Sequence, residues 1–299
     1  MNDRLLMLLA GRLGSSERRP LTAAQLKQLE GQLPDLPDAD IGIFLNSAGV
    51  SGGCSADIMS AVSTLVRDTE LLDTYLERAK RFGIGYLTMY SDKFPIRLKE
   101  RPGSCSPCLW YKGNLDFLTG PCLALVGNRE LRPGSMDFAR EVGRQAAVQG
   151  FVLVSGNARG ADAAAQEACI AAGGRVISVL ADRLEDRKIH DRMLFISEDD
   201  YDAPFSAYRA LKRNHLIHAL GECVFVAQCS QPQGGTWKGS VENLRSSWSP
   251  VFVYDQSGST SKLFRAGAHA VSMEELSDIR YLIAQAGERY IQQSFAVDF

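Results

Sequence analysis

The sequence lacks a strong net charge. Its 33 lysines and arginines stand against 35 aspartates and glutamates, which leaves a formal charge of −2. Within residues 123–220 the two signs are equal, at thirteen each. A protein that coats nucleic acid through bulk positive charge needs a clear basic excess, so this class is excluded. Any site for a polyanion must therefore be a local cluster of basic side chains.

The common nucleotide-cofactor motifs are also missing. No GxxxxGK[ST] segment occurs, which excludes a Walker-type phosphate loop. The segment GNARGA at 156–161 matches the dinucleotide fingerprint only loosely, and the next apolar run, 175–180, does not end in an acidic residue. We therefore expect no cofactor.

Metal and disulfide patterns are scarce. The seven cysteines are an odd number, and Cys105 and Cys108 form a single CxxC without a second pair. This predicts no metal site and favours reduced thiols in the cytoplasm. The apolar run at 5–9 follows an acidic residue and is too short to cross a bilayer, so we expect neither a signal peptide nor a membrane anchor.

Helical patterns occupy the first 83 residues. One helix is predicted from Ser55 or Asp57 as a cap, and a second from 69 to 82 with Gly83 as its stop. We interpret residues 1–83 as a small helical N-terminal domain. Residues 84–120 mix strand-like and loop segments, which predicts a lead-in packed on the main domain.

A different sequence pattern begins at Cys122, where short apolar runs alternate with helical stretches that end in glycine. Nearly continuous apolar runs are typical of parallel strands buried on both faces. The pattern predicts an α/β domain over 84–299, a Rossmann-like, doubly wound and mostly parallel sheet that includes a C-terminal helix. The runs are 122–126, 151–155, 175–180, 223–228 and 250–254.

Polar, glycine-rich loops follow the first two of these runs. In a doubly wound sheet, ligands bind beyond the carboxyl ends of the strands. Glycine-rich turns that open a helix present unpaired N–H groups to anions, and arginine offers a planar fork of donors. The candidate phosphate-binding residues here are Gly127, Asn128 and Arg129 in the first loop, and Ser155, Gly156, Arg159, Gly160 and Asp162 in the second.

Two further clusters have the same character. Lys212, Arg213 and Asn214 stand at the start of a predicted helix, and Gly234, Gly235, Thr236 and Lys238 form a turn before another. Basic side chains and hydroxyl groups in such positions suit a backbone phosphate. The structural alternatives are a well-capped packing helix for 155–162 and a solvated helix face for 212–215.

These segments, in this order, resemble the DprA/Smf family of DNA-processing proteins. VGNR at 126–129, SGNARGAD at 155–162 and KRNHLIHAL at 212–220 are similar to the family's VGSR, SGxARGxD and RNRxIxxL. Upstream, Phe94-Pro95 with Leu98, and the segment 109–114, resemble its YPxxL and LxxKGN elements. His215 replaces the usual second arginine and Asn128 the usual serine.

The resemblance covers about residues 84–273 and implies a function without catalysis. Family members bind single-stranded DNA, dimerise and help to load the recombinase RecA in natural transformation, so these partners are expected here. The N-terminal helices are similar in character to sterile-alpha-motif or helix–hairpin–helix domains. No winged-helix pattern of the kind that ends many members follows residue 273.

An enzymatic alternative comes from the same superfamily. Its lysine-decarboxylase-like members release bases from nucleoside monophosphates, and their PGGxGTxxE signature is similar to Gly234-Gly235-Thr236 with Glu242 nearby. Glu242 is then the candidate general acid/base. The missing proline and the longer spacing to the glutamate favour binding over catalysis. A nucleotide-sensing domain is the third hypothesis.

Overall fold

The computed structural model of the protein describes residues 2–29, 55–101, 103–229, 234–254 and 262–296. Four helices of these ranges precede the first strand. Ser55 caps the third of them, because its Oγ accepts the Ile58 N–H at 3.4 Å, and the fourth ends before Gly83, whose φ is +67°. Both predicted helix signals are confirmed. The helices are α1 (Asp3–Ala10), α2 (Ala23–Leu29), α3 (Ala56–Leu65) and α4 (Thr69–Arg81).

A nine-stranded sheet forms the centre of the described structure, in the order β1-β2-β6-β5-β4-β3-β7-β8-β9. The seven strands β6, β5, β4, β3, β7, β8 and β9 pair in parallel with their neighbours. At one edge β2 pairs antiparallel with β6, and β1 pairs antiparallel with β2. The predicted mostly parallel α/β sheet and its lead-in are confirmed. The strands are β1 (Gly85–Thr88), β2 (Cys108–Gly113), β3 (Cys122–Val126), β4 (Val152–Ser155), β5 (Arg175–Val179), β6 (Met193–Ser197), β7 (Cys223–Val226), β8 (Val251–Tyr254) and β9 (His269–Val271).

Helices cover both faces of this sheet. Because side chains alternate along a strand, Leu125 of β3 joins the core under one layer, with Phe138, whereas Val126 joins the core under the other, with Leu216. This is the doubly wound arrangement. The remaining helices are α5 (Ile96–Lys99), α6 (Pro133–Val148), α7 (Ala161–Ala171), α8 (Ala207–Leu220), α9 (Gly235–Ser246), α10 (Lys262–Arg265) and α11 (Ile279–Ala296), with 3₁₀ turns at Leu115–Thr119 and Glu274–Asp278.

The N-terminal helices pack against the β1–β2–β6 edge of the sheet. The ring of Tyr75 in α4 stacks on Tyr201 with 4.4 Å between centroids, and Trp110 of β2 meets Tyr201 edge-on at 5.0 Å. Tyr75 also donates its hydroxyl hydrogen to Asp202 at 2.7 Å. One apolar cluster is therefore shared by the helical part and the α/β part, and the boundary at residue 83 stays a prediction.

Residues 183–202 contain the interior strand β6, which sequence patterning did not identify. Its two ends are tied together, because the Leu184 N–H donates to the Tyr201 carbonyl at 2.7 Å and Arg183 Nε to the Asp202 carbonyl at 3.1 Å. The two ends of this stretch therefore meet beyond the carboxyl ends of the parallel strands β5 and β6.

Two helices begin earlier than the sequence predicted. Ser206 starts α8 by accepting the Arg209 N–H at 3.1 Å, so 212–214 lie inside the helix rather than at its start. Gly234, with φ of +110°, is the N-cap of α9, so Thr236 and Lys238 lie in the helix rather than in a turn before it. Across the described ranges, none of the helices combines the length and apolar character needed to cross a membrane.

Candidate nucleic-acid interface

A cavity of about 230 Å³ opens where β3, β4 and β5 end. Three arginines from separate elements line it: Arg129 follows β3, Arg159 lies between β4 and α7, and Arg213 comes from α8. Asp182 is the one acidic residue in the lining, and Phe205 adds an aromatic ring. The predicted meeting of the loops at this edge therefore produces a small, basic, partly enclosed site.

The three guanidinium groups differ in exposure. Arg129 and Arg159 are exposed, whereas Arg213 is only 9 % exposed and its Nη1 donates to the Val179 carbonyl at 2.7 Å. Burial lowers the pKa of Arg213, and the charges of Asp162 and Asp182 oppose that effect. A guanidinium stays protonated through such a shift. The cavity thus has one fixed cation at its base and two at its rim.

Gly156 makes room for the buried arginine. A Cβ atom at this position would lie 1.8 Å from Arg213 Nη1 and 2.4 Å from Asp162 Oδ2. Any side chain here would displace both groups. The glycine is therefore required by close approach.

Asp162 closes the loop from beneath. It is buried, and its Oδ2 accepts the Ala158 N–H at 3.3 Å. Burial raises the pKa of this carboxyl, while the charges of Arg213 and Arg129 lower it. Gly160 is the N-cap of α7, and Asp162 lies in the first turn of this helix without capping it.

The three glycine-rich segments interlock. Gly160 has φ of +85°, and a Cβ there would lie 2.5 Å from the Asn128 carbonyl oxygen. That same carbonyl accepts the Ala161 N–H at 3.3 Å, and the Gly127 carbonyl accepts the Thr236 hydroxyl hydrogen at 3.1 Å. The loops after β3 and β4 and the first turn of α9 thereby hold one another in place around the cavity.

Several of the predicted residues support the site without lining it. Ser155 is fully buried, and its Oγ accepts a hydrogen bond from Gln166 Nε2 at 2.7 Å. A Cβ at Gly235 would lie 2.8 Å from Asn214 Nδ2, so that side chain packs on the start of α9. These contacts position the loops rather than a ligand.

The two predicted lysines lie elsewhere. Lys212 Nζ is 3.7 Å from Asp199 Oδ1 and lines a groove on the other side of α8. Lys238 is exposed on α9 and is absent from the cavity lining. The structure therefore does not bring either lysine together with the three arginines.

Glu242, the candidate general acid/base of the enzymatic alternative, lies outside the cavity. Glu242 is not a lining residue, and its charge acts on His215, raising a pKa that burial lowers. Within the described ranges, no group of three or more His, Cys, Asp or Glu side chains is arranged to hold a metal ion. Burial raises the pKa of the Cys105 and Cys108 thiols, and no disulfide links the cysteines of these ranges.

Two solved structures are similar to this chain. The crystal structure of DNA processing protein A from Streptococcus pneumoniae superposes with a TM-score of 0.70 at 22 % identity and covers 92 % of this chain and 96 % of that chain. A structure of DNA processing protein A from Helicobacter pylori, described for its single-stranded DNA binding mode, has a TM-score of 0.54 at 23 % identity and covers 65 % of this chain and 94 % of that chain. These two show the fold.

Sequence similarity identifies the family. The curated DNA processing protein DprA of Streptococcus pneumoniae is 32 % identical over 141 residues, which is 42 % of this chain and 48 % of that protein. The chain thus matches about half the length of this curated relative. The family model of DNA recombination-mediator protein A matches residues 85–281. The match runs from β1 into α11, and the chain belongs to the DNA recombination-mediator protein A family.

Proposed function

We propose that the chain binds single-stranded DNA without catalysis, and that the cavity of Arg129, Arg159 and Arg213 holds the phosphate of one nucleotide. The observation that carries this proposal is the convergence of three guanidinium groups, from three different elements, on one cavity. The lining has three positive charges and one negative charge, so it favours an anion. Arginine forks match the oxygens of a phosphate.

The rest of the cavity fits a nucleotide rather than a free inorganic ion. Phe205 is 56 % exposed beside the arginines, and an exposed ring next to a phosphate site offers a face to a base. Stacking on a ring and contacts to a phosphate do not distinguish one base from another. We therefore expect binding that is independent of DNA sequence.

Family membership gives the biological setting of the proposal. A protein that holds single-stranded DNA in the cytoplasm and passes it to the recombinase RecA would serve DNA uptake and transformation. A homodimer would place two cavities on one strand and raise the effective affinity. These partners are part of the proposal.

Fluorescence anisotropy with labelled oligo-dT tests the central claim. We expect binding at low salt that weakens as salt is added, because phosphate contacts release counterions. Arg159→Ala should weaken binding about tenfold or more and make the slope of log K against log[salt] shallower by about 0.7, the value for one phosphate of a single strand. Arg140→Ala is the control, since this exposed arginine of α6 pairs with Asp137 and is absent from the cavity lining.

Two results would contradict the proposal. Absence of binding to oligo-dT at low salt is the first, and equal binding by the Arg159→Ala and Arg140→Ala variants is the second. Incubation with nucleoside monophosphates, followed by chromatography, should release no free base. Release that Glu242→Ala abolishes would instead establish the enzymatic alternative.

A further inference from the structure

Two exposed aromatic rings lie three residues apart at the start of α8. Phe205 precedes the capping Ser206, and Tyr208 lies in the first turn of the helix. Their exposed fractions are 56 % and 73 %. Both rings are therefore accessible to a ligand from solvent.

The two rings line different surface features, a cavity and a groove. Phe205 lines the arginine cavity, whereas Tyr208 lines a groove of about 660 Å³ between the N-terminal helices and α8, which we call the interdomain groove. Arg12 and Leu21 border the groove on the helical side, and Lys212 and His215 border it on the α8 side. The start of α8 therefore lies between the arginine cavity and the interdomain groove.

The formal charges of the interdomain groove are equal in number. Its lining holds Arg12, Arg209 and Lys212 against Glu198, Asp199 and Asp200. Asp199 pairs with Arg209 at 2.8 Å, and Asp200 accepts the Gly14 N–H at 2.8 Å. Glu198 Oε1 accepts the Ser106 N–H at 2.8 Å. Such a groove does not attract phosphates by charge, unlike the arginine cavity.

We propose that a DNA strand leaving the arginine cavity runs over Phe205 and Tyr208 into the interdomain groove, with bases stacked on the two rings. The proposal rests on the function proposed above and extends the binding surface to the N-terminal helices. Stacking suits this path, because every base has a flat face and the contact needs no charge. The path adds affinity that depends on the length of the strand and hardly on salt.

The test compares a labelled dT4 with a labelled dT12 by anisotropy over a series of salt concentrations. The short strand fills the cavity and the long strand also reaches the groove. We expect Tyr208→Ala to weaken binding of dT12 about tenfold, to leave dT4 unchanged, and to leave the salt slope of dT12 unchanged. Tyr208→Phe keeps the ring and should retain the affinity of the unmodified protein.

Controls separate this idea from general damage. Tyr281→Ala removes another exposed ring, on α11, and should not affect either strand. Arg159→Ala should weaken both strands. Thermal unfolding of each variant should match that of the unmodified protein, because Tyr208 and Tyr281 are exposed.

Three results would overturn the inference: equal affinity of dT12 for the Tyr208→Ala variant and the unmodified protein, an equal loss for dT4 and dT12, or a shallower salt slope in that variant. Failure of the proposed function gives a different result, in which the unmodified protein binds neither strand at low salt.

Discussion

The guanidinium of Arg213 and the carboxylate of Asp162 approach the same point beside the Cα atom of Gly156. A Cβ atom there would lie within 2.4 Å of atoms from both groups. Burial lowers the pKa of Arg213 and raises that of Asp162, and in each case the partner's charge acts in the opposite direction. Each charge therefore offsets part of the other's desolvation cost, and removal of one leaves the other poorly compensated.

Replacement of the glycine beneath this pair should damage the cavity. In Gly156→Ala, the new Cβ atom must displace Arg213 Nη1, which lies 1.8 Å from its position. We expect a loss of about 1–3 kcal/mol in the free energy of unfolding, as for other overpacked sites, and at least tenfold weaker binding to oligo-dT. Gly287→Ala is the matched control, because nothing lies within 4 Å of its Cβ position. Unchanged affinity in Gly156→Ala would show that binding does not depend on this placement of Arg213.

Neutralisation of the carboxylate should lower stability. In Asp162→Asn the buried Arg213 loses a compensating charge and keeps that of Asp182, so we expect the free energy of unfolding to fall by about 1–3 kcal/mol. Urea denaturation measures the effect. Glu167→Gln makes the same chemical change at an exposed position of the same helix and should be neutral. Equal stability of the two variants would argue against the pairing.

The hydroxyl of Thr236 should stabilise the loop that carries Arg129. Thr236→Val removes its hydrogen bond to the Gly127 carbonyl, and we expect a loss of about 1 kcal/mol in stability, together with weaker binding to oligo-dT. Thr236→Ser keeps the hydroxyl and should restore most of both. If the valine and serine variants behave alike in denaturation and anisotropy, the bond contributes nothing.

The buried His218 predicts a pH dependence of stability. Burial lowers its pKa from 6.5 to about 3. Below pH 6.5 the unfolded chain takes up a proton at this residue and the folded protein does not, so stability is full above pH 6.5 and falls as the pH drops toward 3. The slope is at most about 1.4 kcal/mol per pH unit.

Denaturation at several pH values checks this effect. His218→Gln does not titrate, so its stability relative to the unmodified protein should rise as the pH is lowered through this window. The Asn243 side chain, 3.3 Å from His218 Nδ1, offers either residue a hydrogen-bond partner. A stability difference that is constant with pH would show that His218 is protonated in the folded state.

Much of the sheet could be predicted from the sequence, because parallel strands buried on both faces appear as continuous apolar runs. β3, β4, β5, β7 and β8 fall on the five predicted runs. The interior strand β6 was missed, since its five residues Met193–Ser197 sit between charged segments. β9 has three residues, too few for a periodic signal.

The candidate site was predicted only in part. Local motifs identified Arg129, Arg159 and Arg213, but neighbouring residues of a helix point about 100° apart, so Lys212 faces the interdomain groove and not the cavity. Phe205 and Asp182 were missed because each lies next to the 183–202 stretch. Their place in the cavity depends on how β6 enters the sheet, and local patterning contains no information on that.

Strand β6 also affects how rigid the backbone beside the cavity is. It pairs with β5 on one side and β2 on the other, so its amides are protected by two neighbours. Amides of interior strands exchange hydrogen with solvent only when a large part of the structure opens. Asp182 and Phe205 flank the segment that contains this strand, so we expect slow hydrogen exchange in β6 to accompany a rigid backbone beside the cavity. Under the proposed function, a DNA strand would then enter the cavity by movement of side chains at its rim.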